Sequence, residues 1–160
     1  MQRIAGYCVL IAGLALIAAS AEAAPSTAER FQQASRQLVV EAEQAVQTGD
    51  LEQAQFRFEQ ALVADPANVQ ALMGLGRTNA NMGRSDAAVR FYEQALALEP
   101  NNVAALRGKA EAQIAANDLD GADKTLTRLN KLCDMTGSCG ARDSVRQRLQ
   151  EKRAGSSQDG

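Results

Sequence analysis

The chain has 160 residues and a formal net charge of −2, and it shows no clustered basic surface of the kind that indicates nucleic-acid binding. It contains no histidine and no tryptophan, so the commonest general base and the commonest metal ligand are both absent. We therefore expect no catalytic residues, no metal or other cofactor, no small-molecule substrate and no nucleic-acid partner.

The first 23 residues have the three-part plan of a secretory signal peptide. A short basic start, Met1–Arg3, precedes an uncharged apolar run from Ile4 to Ala19. This run is short for a membrane-spanning helix, which needs about 20 residues. Ala21 and Ala23 form a small-residue cleavage site, so we predict export to the periplasm with cleavage near Ala23. The alternative is an uncleaved segment that remains in the membrane as an anchor.

The three cysteines fall into two groups. Cys8 lies inside the apolar run and is expected to leave with the signal peptide, whereas Cys133 and Cys139 remain in the exported chain. An even number of cysteines in an exported protein predicts a disulfide. A thiol–disulfide oxidoreductase is the remote alternative, because redox pairs usually enclose two residues and this pair encloses five. Two cysteines without histidine also make a poor zinc site.

Residues 24–34 are predicted to form a lead-in and the start of the first helix. Ser26 and Glu29 have the spacing of a capping box, in which each side chain binds the backbone N–H of the other residue. The first helix is predicted to run to about Thr48, and the second from Leu51 to Ala64. The inward stripe of the first helix is predicted to be Phe31, Leu38, Ala42 and Ala45.

Four more helices are predicted to follow. Their predicted ranges are 68–81, 85–98, 103–116 and 119–132. Ser85, Asn102 and Asp118 are the predicted N-caps, because their side chains can accept hydrogen bonds from first-turn N–H groups. Phe56 and Phe91 lie off the predicted core stripes. They are interpreted either as ordinary exposed aromatics or as a patch for a partner.

The pattern changes after Leu132. Residues 133–140 are predicted to form a glycine-containing loop between the two cysteines, and a last helix should run from Ala141 to about Lys152. Its apolar residues, Ala141, Val145 and Leu149, recur every four positions, which suits a helix that covers the end of a solenoid. We expect residues 133–153 to form this disulfide loop and capping helix, and residues 154–160 to form a disordered tail.

The helices recur in pairs with a period of 34 residues. Equivalent positions include Leu38, Leu72 and Leu106 in the first helices, Gly49, Gly83 and Asn117 at the turns, and Phe58, Tyr92 and Leu126 in the second helices. Glycine and asparagine both tolerate the left-handed backbone that commonly ends a helix. The pattern therefore predicts three helix–turn–helix units.

The second unit resembles the tetratricopeptide repeat family. The residues that carry the resemblance are Leu72, Leu75, Gly76, Ala88, Tyr92, Ala95 and Pro100. Asn79 departs from the family pattern where an aromatic is usual, and Lys109 departs where the third unit should have leucine. The resemblance implies an all-α, right-handed superhelical solenoid with repeats at 35–68, 69–102 and, in degenerate form, 103–132.

The resemblance also implies that the first helix of each repeat lines a concave surface that binds a peptide or helix of a partner protein. One helical face of these helices gives the predicted partner-binding residues: Arg36, Glu43, Gln70, Met73, Arg77, Asn81, Arg107 and Glu111. We therefore expect a non-catalytic protein–protein interaction adaptor in the periplasm, with envelope, secretion or pilus assembly as its setting.

Two other functions are weighed against this adaptor. Some members of the family hold the terminal carboxylate of a chaperone tail, but the corresponding positions here lack donor side chains, so that activity is not implied. Those positions are Val39, Glu43, Gly74, Ala104 and Gly108. The alternative function is a self-associating structural scaffold, a homo-oligomer in which the end repeats of different chains stack on one another.

Overall fold

The computed structural model describes residues 25–137 and 139–156, so the predicted signal peptide with Cys8 and residues 157–160 lie outside the described residues. The described residues form seven α-helices: α1 (Thr27–Thr48), α2 (Leu51–Ala64), α3 (Val69–Asn81), α4 (Ser85–Leu98), α5 (Val103–Ala115), α6 (Leu119–Thr136) and α7 (Gly140–Ser156). Each helix packs on its neighbours in the chain, and α1, α3 and α5 also contact one another in succession. The predicted all-α solenoid is confirmed. Across the two described ranges, no helix has both the length and the apolar character needed to cross a membrane.

Side-chain caps start most of these helices. The capping box of α1 forms as predicted, with the Glu29 N–H donating to Ser26 Oγ at 3.2 Å and the Ser26 N–H donating to the Glu29 carboxylate at 2.6 Å. Other side chains cap α2, α3, α5 and α6 in turn: Asp50, Asn68, Asn102 and Asp118. The prediction for Ser85 is wrong, because Arg84 holds the N-cap position of α4 without a side-chain cap bond.

The reason for this correction lies in the turn inside each repeat. The turn residue has a left-handed backbone in all three repeats, with φ of 81° at Gly49, 74° at Gly83 and 62° at Asn117. The residue that follows the turn residue is the N-cap of the next helix in each case. The repeat register therefore fixes the start of the second helix, and in the second repeat it places Arg84 at the N-cap.

The end of the solenoid differs from the prediction in two places. α6 continues to Thr136, because Cys133 is buried and extends the inward stripe of Leu126 and Leu129, and because no breaker occurs before Gly137. The loop is therefore limited to the residues between Thr136 and Gly140. α7 runs to Ser156, so the predicted tail from residue 154 begins inside a helix. Arg153 in its last turns forms an ion pair with Asp123 of α6, which holds this end in place.

The inward stripe of α1 also needs a correction. The prediction that Phe31 faces inward is wrong, because Phe31 is 60% exposed, whereas Ser35 and Val39 are buried. α1 has 22 residues and α2 has 14, so the first turns of α1 extend past the helix that would cover them. Ser35 marks the start of the packed part, since its hydroxyl donates to Ala61 O at 2.8 Å.

The buried residues form two clusters. The first-repeat cluster contains Val39, Ala42, Ala45, Ala54, Phe58, Ala61, Ala71 and Leu75. The larger cluster runs from Leu72 through the second and third repeats to Val145 and Leu149 of α7. α3 contributes one face to each cluster. Leu62 and Phe91 pack against both, so Phe91 is a half-buried link between the clusters and not the exposed aromatic of the sequence interpretation.

Adjacent repeats approach each other where an aromatic ring meets a glycine. The ring of Phe58 lies against Gly74, and the ring of Tyr92 lies against Gly108, at equivalent positions one repeat later. A Cβ atom would stand 2.3 Å from the first ring at Gly74 and 2.4 Å from the second at Gly108, well inside contact distance. Only the absence of a side chain allows the repeats to stack this closely.

The two ends of the solenoid are closed in different ways. At the C-terminal end, Val145 and Leu149 of α7 are buried against the third repeat. At the other end, polar side chains replace the apolar residues that face the preceding repeat. Glu41 and Arg57 stand at the positions of Leu75 and Phe91, and their side chains form an ion pair at 3.4 Å.

Candidate partner-binding groove

A hollow of about 570 Å³ lies between α1 and α3, the first helices of the first two repeats. We call it the first hollow. Its apolar part consists of Val39, Val40 and Met73. Its polar part contains three amide side chains and one charged pair: Gln44, Gln47, Gln70, Glu43 and Arg77. Amide side chains carry both donors and acceptors, so this lining can bind backbone groups beside an apolar side chain.

A second, smaller hollow of about 240 Å³ continues the groove towards α5 and α7. It is lined by Arg77, Ala80, Asn81, Tyr92, Gly108, Glu111, Ala112, Ala115 and Arg148. Arg77 lines both hollows, so the two form one groove across the first helices. Burial raises the pKa of the Tyr92 phenol, an effect that Arg77 opposes, Glu111 reinforces and Arg107 opposes.

Charged side chains alternate along this groove. Glu43, Arg77 and Glu111 occupy the same position in successive repeats. The Arg77 guanidinium donates to the Glu43 carboxylate, and Glu111 forms ion pairs with Arg107 at 3.8 Å and with Arg148 of α7 at 3.9 Å. These side chains are a third to two thirds exposed. Exposed ion pairs contribute only about 0–1 kcal/mol each, so a ligand can exchange them at low cost.

The structure brings most of the predicted partner-binding residues together. Glu43, Gln70, Met73 and Arg77 line the first hollow, and Asn81 and Glu111 join Arg77 in the second. Arg36 and Arg107 line neither hollow; Arg36 is exposed on α1, and Arg107 reaches the groove only through its ion pair with Glu111.

Sequence reasoning missed four polar residues of the groove: Gln44, Gln47, Tyr92 and Arg148. Gln44 and Gln47 lie on α1 beside the predicted face. The repeat itself could have identified Gln47, because Asn81 occupies the same position 34 residues later. Arg148 comes from α7, which lies outside the repeat pattern. The signal that could have identified Arg148 is the row of basic residues on the polar face of that helix.

Neither cysteine of the pair lines the first or the second hollow. Cys133 and Cys139 are at disulfide distance, with their Cα atoms 4.8 Å apart, and Cys133 is buried against the third repeat. This position joins the end of α6 to the start of α7. Because Cys133 is buried and Cys139 is only partly exposed, the pair suits a structural link better than exchange chemistry, which needs an accessible thiol.

A groove between the first helices of stacked helix pairs defines this chain as a helical-repeat protein. Its sequence matches the family model described as tetratricopeptide repeat over residues 45–91 and 81–132, which together span more than half of the chain. The chain belongs to the tetratricopeptide repeat family. None of the curated proteins compared with it matches.

Solved structures share this fold. The TPR2B domain of yeast Sti1 in its pHsp70 complex has a TM-score of 0.70 and 17% identity, covering 76% of this chain and 98% of that one. The first repeat domain of Spaghetti (RPAP3) bound to the HSP90 peptide SRMEEVD has a TM-score of 0.69 and 16% identity, covering 77% and 95%. The chaperone SycD of Yersinia enterocolitica with a peptide of the translocator YopD has a TM-score of 0.66 and 21% identity, covering 76% and 93%.

Proposed function

We propose that this protein is a non-catalytic adaptor that binds a short segment of a partner protein in the groove formed by α1, α3 and α5. The observation that carries the proposal is the first hollow, which combines apolar residues with amide side chains. It is large enough for a side chain of the ligand and the backbone on either side of it. Two of the similar structures hold peptides, from HSP90 and from YopD.

A random-peptide display library tests this proposal. We expect the wild-type protein to enrich a common peptide motif. Met73→Glu should lose that enrichment, because a carboxylate in the apolar part of the first hollow disfavours binding of an apolar side chain there. Met135→Glu is the matched control, since Met135 is 71% exposed on α6 and lines neither hollow. An absence of enrichment, or equal enrichment by both variants, contradicts the proposal.

We further propose that the adaptor is exported to the periplasm and works with Cys133 and Cys139 joined. The signal-peptide pattern of residues 1–23 supports export, and the cysteine geometry is compatible with a disulfide. Mass spectrometry of the native protein should give a chain that begins at Ala24. It should gain the mass of two alkylating groups only after reduction. A chain that retains residues 1–23, or cysteines that react without reduction, would argue against this part of the proposal.

A further inference from the structure

The second hollow and its rim carry an excess of positive charge. Arg77, Arg148 and Glu111 line this hollow. Ion pairs add Glu43, bound to Arg77, and Arg107, bound to Glu111, at its rim. The formal balance is therefore three positive charges against two negative ones, a net charge of +1. This excess is local, because the whole chain has a formal net charge of −2.

The guanidinium groups around Glu111 also have few acceptors for their N–H donors. Arg107 and Arg148 share that one carboxylate at 3.8 Å and 3.9 Å, near the outer limit of an ion pair. Within residues 25–137 and 139–156, neither guanidinium has a second acceptor. A guanidinium carries five N–H donors, so both side chains have donors left for an incoming carboxylate.

Two other groups of the second hollow also suit a carboxylate. Asn81 lines it with an amide, and Tyr92 lines it with a phenol. A tyrosine phenol is protonated at neutral pH, and burial raises the pKa of Tyr92 further, so its hydroxyl can donate a hydrogen bond. The hollow thus combines a local excess of positive charge with neutral donors.

The first hollow indicates the conformation of the bound segment. Gln44, Gln47 and Gln70 present amide groups beside the apolar side chains. An extended segment leaves its backbone N–H and C=O groups open to such partners, whereas a helical segment satisfies most of them internally. The glutamine lining therefore favours an extended ligand.

The separation along α3 of one lining residue from each hollow indicates the spacing within that ligand. Met73 and Asn81 lie eight positions apart on α3, which is about 12 Å along a helix. An extended segment covers this distance in about three to four residues. Resting on the proposed function, we infer that the groove selects extended segments with an apolar side chain for the first hollow. A side-chain carboxylate three to four residues away would enter the second hollow.

The experiment uses the peptides enriched by the display library, synthesised with amidated C-termini so that only side chains supply carboxylates. Each acidic residue is replaced in turn by its amide, and binding to the full chain is measured by fluorescence anisotropy. We expect one acidic position, three to four residues from the apolar one, whose replacement weakens binding by about tenfold. We expect Arg148→Gln to weaken binding of the acidic peptide by a similar factor and to leave binding of the amide peptide unchanged.

Arg146→Gln is the matched control, since Arg146 lies on the same helix but bonds to Asn130 and Asp143 and lines neither hollow. Arg107→Gln gives a second test of the same hollow if Arg148→Gln alters the helix content. Peptides that bind equally well as acid and amide overturn this inference and leave the adaptor function intact. An acid preference that survives both Arg148→Gln and Arg107→Gln also overturns it. A library that yields no peptide overturns the inference together with the adaptor function.

Discussion

At the residue scale, the close approach between the second and third repeats depends on Gly108. Alanine at this position would place its Cβ 2.4 Å from the buried ring of Tyr92. We expect Gly108→Ala to destabilise the protein by up to about 2 kcal/mol, because overpacking costs about 1–3 kcal/mol and the gain in helix propensity recovers about 1 kcal/mol. Urea denaturation measures the change in the free energy of unfolding.

The matched control for this prediction is Gly155→Ala. Gly155 is also helical, in α7, and among the described residues no atom outside its chain neighbours and its own helix backbone lies within 4 Å of the position that its Cβ would take. We expect this variant to be as stable as the wild type or slightly more stable, since only the propensity gain remains. Equal effects of the two substitutions would show that the contact with Tyr92 does not limit the approach of the repeats.

Tyr92 also makes stability depend on pH. Burial raises the pKa of its phenol in the folded state, whereas the pKa of an unfolded tyrosine is about 10. Below the unfolded pKa the phenol is neutral in both states, so its contribution to the free energy of unfolding is fully present. This contribution is lost as the pH rises from the unfolded pKa through the higher folded pKa, because the phenol of the unfolded chain ionises first.

The absorbance of tyrosinate measures this titration. The difference between wild type and Tyr92→Phe isolates Tyr92 from Tyr7, which lies in the predicted signal peptide. We expect the folded protein to titrate Tyr92 above the ordinary tyrosine value and the urea-unfolded protein to titrate it at that value. A folded pKa equal to the unfolded one would show that the ring is not desolvated.

At the scale of the single helix, the repeat register decides which polar residues act as caps. Asn102 Oδ1 accepts the Ala105 N–H at 2.9 Å at the start of α5, whereas Ser85 lies inside α4. We expect Asn102→Ala to cost about 1 kcal/mol of unfolding free energy, as for other lost caps. Ser85→Ala should change it by only a few tenths of a kcal/mol. Thermal unfolding of both variants distinguishes them, and a larger loss for Ser85→Ala would contradict the cap assignment.

Helix boundaries could be predicted where local chemistry alone determines them. The capping box at Ser26 and the left-handed turns at Gly49 and Asn117 are fixed by their own side chains and backbone. The end of α6 could not be predicted, because its last turns include Cys133, whose burial depends on tertiary packing. The prediction for Phe31 is wrong for a related reason: within the described residues, α2 is shorter than α1 and leaves the first turns of α1 uncovered.

The groove was predictable only as far as the repeat extends. Glu43, Met73 and Arg77 follow from one helical face of equivalent helices, and the structure places all three in the first hollow. Arg148 belongs to a helix with no equivalent in the repeat pattern. Its contact with Glu111 arises from how α7 packs against α5, which no periodicity in the sequence records.

At the scale of the whole molecule, Phe91 links the two buried clusters. We expect Phe91→Ala to cost about 2 kcal/mol, less than for a fully buried phenylalanine because the side chain is half-exposed. The first repeat should then open more often than the rest, so amide hydrogen exchange should speed up in α1 and α2 more than in α5 and α6. Phe56→Ala is the control, since Phe56 is 52% exposed and belongs to neither cluster. Uniform acceleration in all helices would contradict this division.

The closed ends also predict the state of association. Glu41 and Arg57 give the first repeat a polar outer face, and α7 covers the third repeat. We expect the wild type to sediment as a monomer at all concentrations tested. Glu41→Leu combined with Arg57→Phe restores the residues of the second repeat at these positions and should cause concentration-dependent association. A wild type that associates by itself would favour the stacking scaffold over the adaptor.

The alternation of Glu43, Arg77 and Glu111 restricts how such a chain can lengthen or shorten during evolution. Duplication of the second repeat alone would set Arg77 beside its own copy, and deletion of that repeat would set Glu43 beside Glu111. Either event brings like charges together along the groove. Duplicating two adjacent repeats at once preserves the alternation, and so does the loss of a terminal repeat. A lineage that keeps this groove is therefore expected to gain repeats in pairs and to lose them from its ends.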